Sequence, residues 1–226
     1  GKDLKVSIDG DTLEIDHAQF RWDSIVDSLS RFTGKATAEV SVYVPRDVAL
    51  KFGVITASGL IAGLTGDATA NPVSGDLVID GLTGALSLNS ISGELAVRNH
   101  TGRITAHTVG GDLTVDGRID RFTADSVGGD VFADLRDSAD ELRVNTVGGN
   151  ITVRLPAGLP VQYKVGTAAG RVQLDDTSYA GVRGQFTARQ GLLDQHWLDF
   201  RANAVGGGVT AMHRTADGAS APAAEE

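Results

Sequence analysis

The side chains best suited by type to do chemistry in this sequence are carboxylates that recur at fixed intervals. Asp76, Glu94, Asp112 and Asp130 stand 18 residues apart, and Asp80, Asp116 and Asp134 repeat the pattern four residues further on. Columns of carboxylates suit a hard divalent cation, a basic partner surface or the acid pair that flanks a glycosidic bond. Phe132 is the sole aromatic residue in these columns, so an aromatic-walled sugar cleft is not expected. His17, His100, His107, His196 and His213 are scattered, and there is no cysteine, which removes disulfides, thiolate zinc sites and thiol nucleophiles together. No phosphate loop, nucleophile elbow or histidine metal pair occurs. A nonapeptide calcium repeat would place glycine and aspartate where Leu113 and Val115 stand. Ice binding would need adjacent outward threonines, and only Thr69, Ser87, Thr105 and Thr123 approximate that. The expectation is a protein that is not an enzyme, with no catalytic residues, cofactor or dedicated metal centre.

Those carboxylates are placed by a repeat. Gly75, Gly84, Gly93, Gly102 and Gly111 follow one another at nine-residue intervals; the phase continues without its glycine at Asp120, returns at Gly129, takes two extra residues to Asp140 and closes at Gly149. Looser copies begin at Gly59 and Gly66 and at Val161, Gly170, Leu198 and Gly207. Within each unit the third and fifth residues are apolar or small, as in Leu77 and Ile79, Leu95 and Val97, or Ile151 and Val153, which is strand alternation. The sixth is polar in every copy from Asn71 to Arg154, the chemistry of a turn following a strand. Two units make an 18-residue coil, and stacked coils bury their inward side chains against one another. An antiparallel sandwich also has short, regularly spaced strands, but its hairpins vary in connection length, whereas nine-residue phase implies one repeated geometry. The fold expected is all-β, a two-sided parallel β-solenoid with 18-residue coils.

The ends of such a stack need covers, because unpaired strand edges recruit other chains. Leu4 to Ile15 alternates around Asp9-Gly10-Asp11 and reads as a hairpin. Trp22, Ile25, Val26, Leu29 and Phe32 fall at helical spacing, so residues 23 to 32 read as a short amphipathic helix, with Asp23 and Asp27 on its polar face disfavouring anionic lipid. Val40, Val42 and Val44 alternate into Pro45. Asp175 to Gln195 breaks the phase and reads as a loop or hairpin beside the stack, after which Trp197, Phe200 and Val205 resume it. The organisation expected is a strand and helix cap over 1–39, the solenoid over 40–214, and a disordered acidic tail over 215–226.

In a two-sided solenoid, alternate units present opposite faces. One face carries Asp76-Val78-Asp80, Glu94-Ala96-Arg98, Asp112-Thr114-Asp116 and Asp130-Phe132-Asp134. The other carries Asp67-Thr69-Asn71, Ala85-Ser87-Asn89, Arg103-Thr105-His107 and Arg121-Thr123-Asp125 and is nearly neutral. Carboxylates stacked at the ~4.8 Å strand spacing repel by about 1 kcal/mol per pair even in water. Backbone N–H groups at the glycine turns, splayed rotamers or weakly bound cations are the available reliefs. The candidate interaction face is therefore Asp76, Asp80, Glu94, Asp112, Asp116, Asp130, Phe132 and Asp134, with a solvated acidic wall as the plainer reading. His100, at a partly inward position, reads as a satisfied turn or core histidine. With 20 basic against 29 acidic residues the net charge is -9, which opposes a grip on nucleic acid phosphates, and no apolar run is long enough for a transmembrane segment.

The phrases Val73-Ser74-Gly75-Asp76-Leu77, Ile91-Ser92-Gly93-Glu94-Leu95, Val109-Gly110-Gly111-Asp112-Leu113 and Val127-Gly128-Gly129-Asp130-Val131, preceded by Val44-Pro45 and closed by Val205-Gly206-Gly207-Gly208, resemble the bacterial putative-adhesin β-strand-repeat family, a domain of unknown function. The likeness covers residues 40 to 214. It implies a β-solenoid, cytoplasmic or cell-envelope-associated, and brings no catalytic residues. The function expected is a non-catalytic scaffold or protein-interaction module that binds a protein partner or itself. The alternative is a carbohydrate-binding or polysaccharide-active protein working through the acidic face.

Overall fold

Alternation of inward aliphatic and outward polar residues shapes every strand of the main body. The structure, a computed structural model, describes residues 4–17, 39–179, 184–193 and 196–215. The chain divides into two compact units, Gly1–Tyr43 and Val44–Glu226. In the first, β1 (Leu4–Asp9) and β2 (Thr12–His17) form the expected antiparallel hairpin about Gly10, whose φ of 58° suits the tight turn. The helix expected over 23–32, the residue pair 194–195 and the tail from 216 onward lie outside the described residues. The alternation at Val40, Val42 and Val44 makes no strand: the three side chains are exposed, and pairing begins only after Pro45, at Leu50.

The second unit is the solenoid, and no helix occurs among the described residues. Six coils follow in chain order. The coil strands are β3 (Leu50–Thr56), β4 (Gly59–Ala62), β5 (Ala68–Ser74), β6 (Leu77–Asp80), β7 (Thr83–Ser90), β8 (Leu95–Thr108), β9 (Leu113–Ser126), β10 (Val131–Leu135), β11 (Glu141–Thr146) and β12 (Ile151–Leu155). All their pairings are parallel, and up to β10 the faces keep an 18-residue register: Leu50 with Ala68, Ala68 with Leu86, Leu86 with Ile104 and Ile104 with Phe122 on one face; Gly59 with Leu77, Leu77 with Leu95, Leu95 with Leu113 and Leu113 with Val131 on the other. The two residues added before Asp140 appear as an offset of 20, Arg121 facing Glu141 and Val131 facing Ile151, with the excess looped out at Arg136–Ala139. Inward columns close to solvent: Leu77, Leu95 and Leu113 are 1–2% exposed, and each such leucine contributes about 2 kcal/mol of burial.

The last two coils are out of order. β13 (Val161–Thr167) and β14 (Val172–Leu174) do not pair with β11 and β12. Their place is taken by β17 (Leu198–Ala204) and β18 (Val209–His213), so the spatial sequence is β11-β17-β13 on one face and β12-β18-β14 on the other. The excursion from Asp175 contributes β15 (Thr177–Tyr179), antiparallel to β14, and β16 (Gly184–Gln190), antiparallel to β13, both at the outer edge. The chain thus skips one level, folds two edge strands, and returns to fill the level it left.

Packing explains why the late coil sits inside. Asn203 continues an amide ladder by donating from Nδ2 to Oδ1 of Asn145 at 2.8 Å, where β13 has only Gly166 to offer. The Asn150 Oδ1 likewise accepts the Gly208 N–H at 3.0 Å. Tyr163 and Phe200 meet edge to face, 5.4 Å between centroids, filling the core between the last two levels.

One corner of the coil is made of glycine. A Cβ on Gly111 would lie 2.0 Å from the Gly93 carbonyl oxygen, one on Gly129 2.2 Å from that of Gly111, and one on Gly149 1.8 Å from that of Gly129. The backbones approach so closely that no side chain fits between levels. Where the other corner lacks its glycine, at Asp120, the register slips: Gly102 faces Ile119 but Arg103 faces Arg121, so Asp120 bulges. Replacing Gly129 by alanine is expected to lower stability by about 3 kcal/mol or more, from the backbone clash and the φ of 91° together. Gly158→Ala, with a similar φ of 71° but open space around it, is expected to cost only about 1 kcal/mol. Urea denaturation of the two variants checks the difference.

Candidate functional site

The strand register gathers the acidic residues on one face, and six of its seven carboxylates, all but Glu94, have an oxygen engaged by a later stretch of chain. Asp76 accepts the Glu94 N–H at 2.9 Å, Asp112 the Asp130 N–H at 2.8 Å, and Asp130 the Asn150 N–H at 2.8 Å. This is the first of the three reliefs anticipated for the column, a backbone N–H donated between levels. At the strand ends, Arg136 grips Asp116 through Nε at 2.8 Å and reaches Asn99 at 3.1 Å, while Asn99 donates to Asp80 at 2.8 Å. Asp134 is bracketed by Arg154 at 3.4 Å and by Arg214. Phe132 lies under the Arg154 guanidinium, 5.9 Å from ring centroid to Cζ. Arg136 comes from the two-residue insertion and Arg154 and Arg214 from later coils, which is why the face reads as more acidic in sequence than it is in space. Among the described residues no three His, Asp or Glu side chains converge as a metal-binding group.

The opposite face holds a feature the sequence reading passed over. A shallow cleft of about 490 Å³ lies across β5, β7, β8 and β9, walled by Asp67, Thr69, Ser87, Arg103, Thr105 and Arg121. Ala85 and Ser87, the small outward residues of β7, make its dip. The available signal was the pair of small residues set between longer ones in the same columns. Arg121 contacts Glu141 at 3.3 Å, whereas Arg103 meets no carboxylate among the described residues. On the same face an outward ladder runs Asn89 to Asn71 at 2.8 Å, His107 to Asp125 at 3.2 Å and Asn145 to Asp125 at 2.8 Å.

Where the glycine corner begins, a column of small hydroxyls turns inward. Ser90, Thr108, Ser126, Thr146 and Thr167 are 3–6% exposed. Ser126 donates to the Gly128 carbonyl at 2.8 Å, and Thr146 accepts the Gly149 N–H at 3.1 Å. The residue after each of the first four hydroxyls points out, as does Val205, which follows Ala204 in the strand paired with Thr146. Ile91, Val109, Val127, Val147 and Val205 are each 52–56% exposed and form a straight aliphatic ridge, locked by hydrogen bonds such as Gly110 to Ile91 and Gly128 to Val109, both 2.9 Å.

Two of the titratable groups that depart from their ordinary behaviour, His100 and Asp175, bear on the response to acid. His100 is 1% exposed and neither ring nitrogen has a hydrogen-bond partner, so it is not the satisfied core histidine expected. The strand crosses between faces at this point, with Asn99 at a φ of 51°, and the ring is drawn inward beneath it. Burial pushes its pKa down, opposed by the nearby Arg103 backbone and the Asp120 charge. At the C-terminal levels, Asp175 receives the His213 N–H at 2.6 Å, the His213 Nδ1 at 3.0 Å and the Gln190 Nε2 at 2.5 Å, while His213 Nε2 faces the Leu159 carbonyl at 3.0 Å. Partial burial raises the Asp175 carboxyl, but the hydrogen bonds from Gln190 and His213 and the His213 charge outweigh it and hold it below its ordinary value. The cluster ties β14, β16 and β18 together, a structural role.

This geometry defines a two-sided parallel β-solenoid with a glycine-lined corner and patterned outer faces. The chain belongs to the Toastrack family, DUF4097, whose model matches residues 1–187. The slot-filling coil β17–β18 lies beyond that match. No curated protein matches the sequence. Among solved structures, a crystal structure titled as a putative cell adhesion protein from Clostridium sporogenes ATCC 15579 is 10% identical, covers 75% of this chain and 93% of its own, and superposes with a TM-score of 0.39.

The pH response follows from His100. Its folded pKa lies below the ordinary 6.5, so its contribution is intact above pH 6.5 and is lost as pH falls from there toward the folded value. The melting temperature is expected to drop between pH 7 and pH 5, and His100→Leu is expected to flatten that drop. The corresponding loss from Asp175 begins only below its ordinary 3.8, so a scan from pH 7 to 3 separates the two.

Proposed function

We propose that the chain is a non-catalytic interaction scaffold, adhesin-like in mode, that associates with protein through the aliphatic ridge beside its glycine corner and takes a second copy of itself as partner. The observation that carries this reading is the ridge of Ile91, Val109, Val127, Val147 and Val205, half-exposed and in straight register. Isolated exposed aliphatics are ordinary, but a contiguous apolar strip marks an interaction surface. This strip costs nothing further to order, because the backbone hydrogen bonds that fix it are those of the coil itself. Polysaccharide chemistry on the acidic face is the weaker reading, since Asp112 and Asp130 each commit an oxygen to the backbone and Asp116 and Asp134 are ion-paired.

The triple variant Val109→Ser, Val127→Ser, Val147→Ser tests the ridge. These side chains already face solvent, so the melting temperature is expected to change by only a few degrees. Sedimentation equilibrium is expected to show the mass of the unmodified protein rising with concentration and that of the variant remaining monomeric. Identical, concentration-independent masses for both would overturn the reading.

A further inference from the structure

The two faces differ in what their polar groups are doing. On the acidic face the carboxylates are largely occupied between coils, as the Asp112 and Asp116 contacts illustrate. In the cleft on the opposite face, Arg103 lacks an ionic partner among the described residues, and the hydroxyls of Thr69, Ser87 and Thr105 make no hydrogen bond there. Arg103 and Arg121 face one another across adjacent strands, so two like-charged side chains leave backbones about 4.8 Å apart, and among the described residues the carboxylate that offsets them is Glu141, on Arg121. An anion seated between the two arginines removes that repulsion and meets the planar donor fork that suits carboxylate, sulfate or phosphate oxygens.

We propose that this cleft is a binding site for an acidic polysaccharide in which charged sugars alternate with neutral ones. The arginine pair takes the charged group. The hydroxyl column one strand position away both donates and accepts, matching sugar hydroxyls. The cleft runs across four successive strands, along the coil axis, with its dip at Ala85 and Ser87, an outline that suits an extended chain. Asp67 lies at one end of the arginine column and Glu141 at the other, so a polymer charged at every residue meets repulsion on both sides of the pair. Nucleic acid, charged at every phosphate, meets that repulsion throughout and is disfavoured.

The full chain is titrated calorimetrically with hyaluronan oligosaccharides, which alternate uronate with neutral sugar, and with neutral dextran oligosaccharides, polyglutamate peptide and sodium sulfate. Hyaluronan binding is expected, weakened at least tenfold by Arg103→Gln and by Arg121→Gln and unchanged by Asp112→Asn, with dextran silent. Absence of hyaluronan binding overturns the proposal, as does binding that the arginine variants leave intact. Equal affinity for polyglutamate reassigns the cleft to acidic peptide, and equal affinity for sulfate to a simple anion; either result also overturns it. Circular dichroism of the variants, whose substituted side chains are exposed, confirms that any loss is not unfolding.

Discussion

The contact on which the rest depends is between backbones. At the glycine corner, the carbonyl oxygen of one level occupies the position that a Cβ of the next would need, about 2 Å away at Gly111, Gly129 and Gly149. Only hydrogen fits, and because it fits, consecutive levels can sit at strand spacing all the way round the coil rather than only along its flat sides. The inward stacks of leucine, isoleucine and valine then close to solvent, and the outward residues fall into straight columns. Ridge, carboxylate ladder, amide ladder and cleft are all projections of that one register.

Much of this was legible in the sequence for a plain reason. A nine-residue phase in glycine, aliphatic alternation and polar turns has few solutions, and parallel stacking satisfies all three at once. The absent glycine at Asp120 marked a real irregularity, the bulge beside Arg121. The order of the last two coils was not legible, because periodicity says which way a side chain points and nothing about which strand lies alongside. Tyr163-Lys164-Val165 and Phe200-Arg201-Ala202 carry the same pattern, and the choice between them rests on partners such as Asn145 and Asn150, fixed only in three dimensions.

The candidate site was half legible. Reading columns from spacing placed the acidic residues on one face, but it counted charges without their partners. Arg136 arrives through the loop that a two-residue insertion makes and Arg214 from 80 positions beyond Asp134, distances no local pattern encodes. The cleft was invisible for the opposite reason: it is formed by small residues, Ala85 and Ser87, whose contribution is the space they leave. What separates the paired charges from Arg103, which meets no carboxylate among the described residues, is contact between levels, and spacing along the chain does not carry it.

The inverted order of the final coils also sets how the molecule bears load. Strands β17 and β18 run parallel to a neighbour on each side, so tension applied to the chain beyond β18 cannot peel the stack one level at a time. It must draw a coil lengthwise out from between two others, breaking both flanking ladders in shear together. A solenoid whose β17 and β18 lie inside the stack is thereby fastened against unravelling from the side where an ordinary repeat array would fray first.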